Sequence, residues 1–220
     1  MSHRFKPCDR DQLFLLPPSL QEWLPPGVPK PKEQRNFTDP ESKIMKMGDG
    51  AFDQAYNGQA AVDQEHQIIV AGAVTPQSND KQQVQPMVEQ IKDNLGGVPQ
   101  KLSGDSGFYS EANVGYLREE GIDDYLCPDR LKHGEPRPPV RGRLPAGLSF
   151  IDRVRRKLLT KEGRRTYGLR KQIVEPVFGQ IKQARGLRQF LLRGLEKVDA
   201  EWMLWCTGHN LLKICAAVNA

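Results

Sequence analysis

Residues 56–75 read YNGQAAVDQEHQIIVAGAVT, and this stretch narrows the possible folds more than any other. An apolar run at Ala60–Val62 is cut by the polar DQEH. QIIVAGAV, rich in β-branched residues, follows, so the segment predicts strand, turn and strand. In NDKQQVQPMVEQIKDNLGG, Val84, Met87, Val88 and Ile91 fall at i, i+3, i+4 and i+7, one face of a helix that Gly96 and Gly97 end. QKLSGD is a short strand ending at Asp105. Ser110 caps a helix over EANVGYLREEG, which Gly121 stops, and DDYLCP is another short strand. The order strand, strand, helix, strand, helix, strand is that of an α/β sheet with helical cover.

The flanks differ in character. Residues 1–35 carry prolines at 17, 18, 25, 26, 29 and 31, a density that blocks long helix and leaves turns and extended linker. Leu13 to Leu16 and Trp23 offer only a short docking segment. Residues 128–150 are rich in Pro, Gly and Arg without periodicity, which reads as a mobile basic loop. The segment from Ser149 to Gly186 reads as mostly helical, and residues 198–218 read as a buried, apolar terminal helix.

At 38% hydrophobic, the 220 residues can bury a core. No run of about 18 or more apolar residues suggests a membrane span. The polar start MSHRFKPCDRDQ lacks an apolar signal core, so the expected setting is intracellular. The net charge of +5 is uneven. Residues 129–195 hold 18 Lys and Arg against 5 Asp and Glu, a local +13; the other residues hold 14 against 22, a local −8. A solvated charged face would account for such a block, but a polyanion partner, most simply nucleic acid, accounts for it better. Four cysteines, at 8, 127, 206 and 215, form no C-x-x-C pair. Cys206, His209 and Cys215 are close enough in sequence to suggest a metal. Their apolar context favours cysteines acting as small core hydrophobes.

Two carboxylates stand out. Asp105 closes a strand between Gly104 and Gly107, the setting of an ordinary turn or of a ligand held at a strand end. Glu175 lies beside the stripe Val174, Val177, Phe178, Ile181, with Lys171 four residues before it and Lys182 seven after. Pro176 predicts that the helix begins or bends there. Acids on an α/β core beside a basic block suit phosphodiester chemistry. Carboxylate oxygens hold hard divalent ions there, and cations hold the DNA backbone.

The segments NFTDPESKIMK, YNGQAAVD, LSGDSGFYSE, IVEPVFGQIKQARG and LLRGLEKVDAEWMLWCTGHNLLK resemble the DDE transposases of bacterial insertion sequences. The resemblance covers roughly residues 32–215, with FKPCDRDQLFLLPPSLQEWLP similar to the family's extreme N-terminus. It implies a ribonuclease-H-like α/β core with C-terminal helices, and Mg²⁺ or Mn²⁺ held by three acids. The implied partner is double-stranded DNA at the element's ends. The implied place is the bacterial cytoplasm, at the nucleoid. Asp105 matches the second acid and Glu175 the third, both as catalytic residues and as metal ligands. Lys182 matches a DNA-contacting base after the Glu, while Lys171 and Arg170 stand where the family is basic before it. Tyr167 and Arg185 complete the DNA-binding set. The first acid and its strand have no counterpart. EWLPPGVPKPKEQRNFTDP joins two family segments directly, which implies an internal deletion near residues 25–30. The expected division is a remnant and linker at 1–31 and a partial catalytic domain at 32–220. Asp39, Asp49, Asp53 and Asp63 are the remaining nearby acids, and Asp63 reads as a turn residue. The resemblance therefore implies weak or absent cleavage, with DNA binding retained, and either homo-oligomers or pairing with intact transposase.

Overall fold

The computed structural model describes residues 36–48, 50–129, 140–143, 145 and 147–219. The prolines of the N-terminal segment, the junction near residues 25–30, Cys8, Asp49 and most of the basic loop lie outside them. The fold is mixed α/β. Strands β1 (Lys43–Lys46), β2 (Phe52–Ala55), β3 (Asn57–Val62) and β4 (Ile69–Thr75) precede helix α1 (Val84–Leu95). Then come β5 (Lys101–Gly104), α2 (Glu111–Glu119), β6 (Asp123–Leu126), α3 (Phe150–Leu159), α4 (Lys161–Gly179) and α5 (Leu195–Val218).

The expected hairpin is β3–β4, antiparallel from Asn57 opposite Thr75, with its register shifted between Ala61 and Val62. The hairpin β1–β2, which the sequence reading left unassigned, is also antiparallel, and β5–β6 is parallel. The strands form three separate two-stranded pieces rather than one sheet. Side chains close the outer edge of β4: Asn210 bonds both the amide and the carbonyl of Ile69, Gln90 takes the Gly72 amide and Asp199 the Val74 amide. Because those β4 amides point away from β3, antiparallel geometry sends the backbone groups of Gly58 and Ala60 to the opposite side. No described strand pairs with them there.

Helix α1 ties β3–β4 to β5–β6. All four residues of its predicted face are buried. Met87 and Ile91 pack with Ala71 of β4, while Val84 and Val88 join Val114, Leu117, Tyr125 and Leu126 on the β5–β6 side. The caps are where the sequence puts them. Gly96 takes the left-handed conformation, and the Ser110 hydroxyl accepts the Asn113 amide. A second core lies over β3–β4, where Trp202 of α5 packs with Val177 of α4 and with Ile181 just beyond that helix.

The predicted long helical segment breaks at Thr160. Its extended backbone ends α3, and its hydroxyl accepts the Gly163 amide to start α4. Helix α4 then runs through Pro176 without beginning there, and a π turn at Gln180–Ala184 follows. Pro176 has no amide for the Gln172 carbonyl, and the Gln67 side chain supplies the missing donor at 2.8 Å. Gln67 sits at φ 58°, and it also receives His209 Nε2 on its carbonyl and Lys213 Nζ on its amide oxygen. A Gln67→Ala chain would leave the Gln172 carbonyl without a protein partner. The bond is exposed, so water can replace the donor, and the variant is expected to lose about 0.5–1.5 kcal/mol of stability in urea.

Helix α5 departs from the buried helix expected of it. Val198, Trp202, Cys206 and His209 are buried, but the residues from Leu211 onward are exposed apart from Lys213.

Candidate functional site

Helix α4 is the element that carries most of the candidate residues, and it contacts β3, β5 and β6. Its exposed positions include Lys161, Arg164, Arg165, Gly168, Lys171 and Glu175, which follow one another at helical spacing on one side. None of these four cations pairs with a carboxylate among the described residues. The cations of α3 are instead spent internally. Arg155 pairs with Asp129 and Asp152, and Lys157 reaches Asp123 at 2.7 Å and the buried Asp124. On α3 two of the four cations are thus paired with acids, while Arg153 bonds the Leu148 carbonyl and Arg156 those of Gly142 and Arg143. Lys161, Arg164 and Arg165 were not singled out from sequence. Their signal, i, i+3, i+4 spacing on a helix face, is visible only once Thr160 fixes where that helix starts.

Around this stripe, Arg170 lies over the Tyr167 ring, 4.6 Å from its centre, and Lys182 lies 5.6 Å from the centre of Phe178. Tyr167 is partly buried against the β5–β6 core. Burial first, and then Cys127, push its hydroxyl up to about 12, with Asp105 acting in the same direction. Arg185 is half-buried and gives Nη1 to His209 Nδ1 at 3.0 Å, so its guanidinium is partly committed to the fold.

Asp105 is exposed just beyond β5, and its side chain accepts the Gly107 amide at 2.9 Å, opening a 3₁₀ turn at Ser106–Phe108. Asp80 is beside it, a residue the sequence reading passed over. One Asp80 oxygen accepts Asn57 Nδ2 at 2.6 Å and Gln59 Nε2 at 2.7 Å. The other lies 2.6 Å from the position a Cβ on Gly107 would take, and Asp105 Oδ1 lies 3.1 Å from the same point. Two carboxylates and a closed-off glycine thus meet at the end of β5. Glu175 is exposed and has no hydrogen bond or ion pair with a described residue, and the expected cluster with Lys171 and Lys182 makes no ion pair. Among the described residues no group of three or more His, Cys, Asp or Glu side chains is placed to hold a metal. The other acids are accounted for. Asp39 is buried and accepts Tyr56 Oη at 2.7 Å and the Gly194 amide. Asp53 accepts the Gln54 amide, and Asp63 accepts the amides of Glu65, His66 and Ile68 across the β3–β4 turn.

The CTGHNLLKIC segment is divided between core and surface. Burial, and then Asp199, push the Cys206 thiol up to about 12, while Cys215 is exposed. His209 is fully buried. Arg185 has only protons to donate, so Nδ1 accepts and Nε2 carries the proton to the Gln67 carbonyl. Burial lowers its pKa below the usual 6.5, helped by the cations Arg185 and Lys213. With the folded value below the unfolded one, this ring contributes stability above pH 6.5 that is lost as pH falls through the folded value. Melting temperature is expected to drop between pH 7.5 and 5.5, and His209→Gln is expected to flatten that drop.

Residues 148–215 match the family model described as a transposase DDE domain. The match covers α3, α4 and most of α5, and it contains Glu175 and the whole basic stripe. This part of the chain is thus similar to a transposase DDE domain, which supports a DDE transposase. No curated protein and no solved structure matches it. No helix among the described residues is long and apolar enough to cross a membrane.

Proposed function

We propose that the chain binds double-stranded DNA along the exposed face of α4, as a transposase derivative with weak or absent strand cleavage. The observation that carries this reading is the stripe Lys161, Arg164, Arg165 and Lys171, exposed and without carboxylate partners among the described residues. Four unneutralised cations on one rigid helix match a phosphate backbone better than they match a solvated face. Lys182, Arg170, Tyr167 and Arg185 extend the contact surface, Arg185 least, because His209 holds it. The partner is the DNA of insertion-sequence ends, in the bacterial cytoplasm. In the Arg164→Glu, Arg165→Glu double variant, duplex affinity should fall by about tenfold or more at low salt. Unchanged affinity in a folded variant would refute the assignment.

A ribonuclease-H-like core lacking its first strand is the architecture we infer. Removing a strand from between β3–β4 and β5–β6 would leave two separate pairs. The unpaired side of β3 agrees with that. Asp105 and Glu175 are the catalytic ligands we assign to Mg²⁺ or Mn²⁺. A strand-end carboxylate and an exposed helical carboxylate suit hard cations, and the chemistry such ions supply is activation of the attacking oxygen and stabilisation of the leaving one. This chain's part would be to hold the scissile phosphate against the α4 cations. With one acid absent, metal affinity should be poor, and Asp80 is the carboxylate nearest to making up the loss at Asp105. Supercoiled plasmid carrying the ends should stay unnicked in Mg²⁺ or Mn²⁺. Nicking that vanished in both Asp105→Ala and Glu175→Ala would show an intact site instead. The second reading, a non-catalytic protein that occupies ends or pairs with intact transposase, follows if DNA is bound and never cut.

A further inference from the structure

The outer edge of β3 is open although the hairpin is covered on both faces. Ala61 packs against Met87 and Ile91 of α1 on one face, while its neighbour Ala60 packs into the Trp202 core on the other. Helix α1 continues into the β5–β6 core through Val84 and Val88, and α4 contacts β3, β5 and β6. Asp80 links the same two pieces, since it bonds Asn57 and Gln59 of β3 and lies beside Gly107 just past β5. Two helices and a carboxylate thus bracket β3 and β5, yet neither strand has a second partner among the described residues. On β5, the Asp123 amide bonds the Gln100 carbonyl, so parallel geometry turns the backbone groups of Lys101 and Ser103 away from β6. Ser103 also has a buried hydroxyl without a partner. A strand lying between β3 and β5 would be buried on both faces, and such strands read as continuous apolar runs rather than alternating ones. Within residues 1–35 the one uninterrupted run of four apolar residues is LFLL, residues 13–16.

We propose that residues 13–16 of the same chain fill this gap as a strand between β3 and β5, a reading that rests on the sheet lacking its first strand. The four residues match the four of β5 in length. Pro17 follows them. It biases Leu16 toward extended backbone and, having no amide, ends the pairing there. The 19 residues from 17 to 35 carry six prolines, and at about 3 Å per residue they span about 60 Å. That exceeds the roughly 40 Å across a domain of this size, so the tether reaches the gap from Asn36. Tethering also makes the contact intramolecular, at an effective concentration on the order of millimolar, which a free four-residue strand lacks. The docked strand would give the β3 edge the partner that an open edge otherwise takes from another chain.

Amide hydrogen exchange, followed by NMR on the full chain without DNA, tests this, with Ile91 of α1 as the internal reference. The Gly58 and Ala60 amides are expected to be protected in the wild type. They should exchange at least tenfold faster in Leu15→Pro, which removes a strand donor, and in Phe14→Asp, which puts a charge between two apolar faces. Ile91 should keep its rate. A rise that includes Ile91 supports the proposal as well, because an undocked tail has no means of loosening the core. Fast exchange at Gly58 and Ala60 in the wild type overturns the proposal and leaves the open-edge architecture standing. Protection that both substitutions leave intact overturns the two together, because the edge would then be covered by residues already in the fold. Protection that grows with protein concentration also overturns the proposal, because a second copy would be the donor.

Discussion

Replacing Trp202 with Ala is expected to cost about 3–5 kcal/mol, a large share of the roughly 5–15 kcal/mol that keeps an ordinary domain folded. The indole is 2% exposed and lies against β3 and β4 where two glycines leave room for it. A Cβ on Gly58 would stand 3.6 Å from the ring, and one on Gly72 would stand 3.4 Å from Nε1. Phe178 stacks on it with centroids 5.8 Å apart, Phe190 meets it edge-on at 6.5 Å, and Nε1 donates to the Gln59 carbonyl at 2.8 Å. Truncation would remove a side chain that joins α4, α5 and the β3–β4 hairpin. Trp202→Phe keeps the ring contacts and loses the hydrogen bond, so it should cost about 1–2 kcal/mol. Urea midpoints of the two variants are the check. A midpoint unchanged in Trp202→Ala would mean that this core does not hold the fold.

Gly163→Ala is expected to cost about 3 kcal/mol or more, while Gly168→Ala, five residues along the same helix, should add roughly 0.5–1 kcal/mol of stability. At Gly163 the new methyl would lie 2.1 Å from the Lys157 carbonyl oxygen and 2.8 Å from the Leu158 Cα, both backbone atoms that cannot swing aside. Thr160 locks that corner, accepting the Gly163 amide at 3.0 Å and donating to the Lys157 carbonyl at 2.7 Å. Around Gly168 nothing lies within 4 Å, so only the helix preference for Ala counts. Thermal melts of the pair should move in opposite directions. Equal shifts would mean that the α3–α4 corner is looser than described.

Local chemistry made much of this legible in advance. The α1 face, the Ser110 cap, the Gly121 stop and the β3–β4 hairpin follow from spacing and capping within a dozen residues, and all are present. The break at Thr160 also had a local signal, a capping residue inside a helical pattern. Hairpin β1–β2 is short and largely exposed, so it carries little of the alternation that marks a strand. Asp80 was beyond reach for a different reason. Its partners Asn57 and Gln59 are more than 20 residues away, and a polar residue in a turn announces nothing by itself. The exposed half of α5 misled because apolar composition reports what a helix could bury, not whether a partner is present.

The central claim is that α4 is a phosphate-binding surface, and salt dependence tests it most directly. The affinity of the wild-type chain for duplex DNA, followed by fluorescence anisotropy from about 50 to 300 mM salt, should fall linearly on a log–log plot. Its slope should correspond to about three or four phosphate contacts, and Arg164→Glu with Arg165→Glu should reduce the slope by about two. A salt-independent affinity, or a slope that the double variant leaves unchanged, would contradict the account.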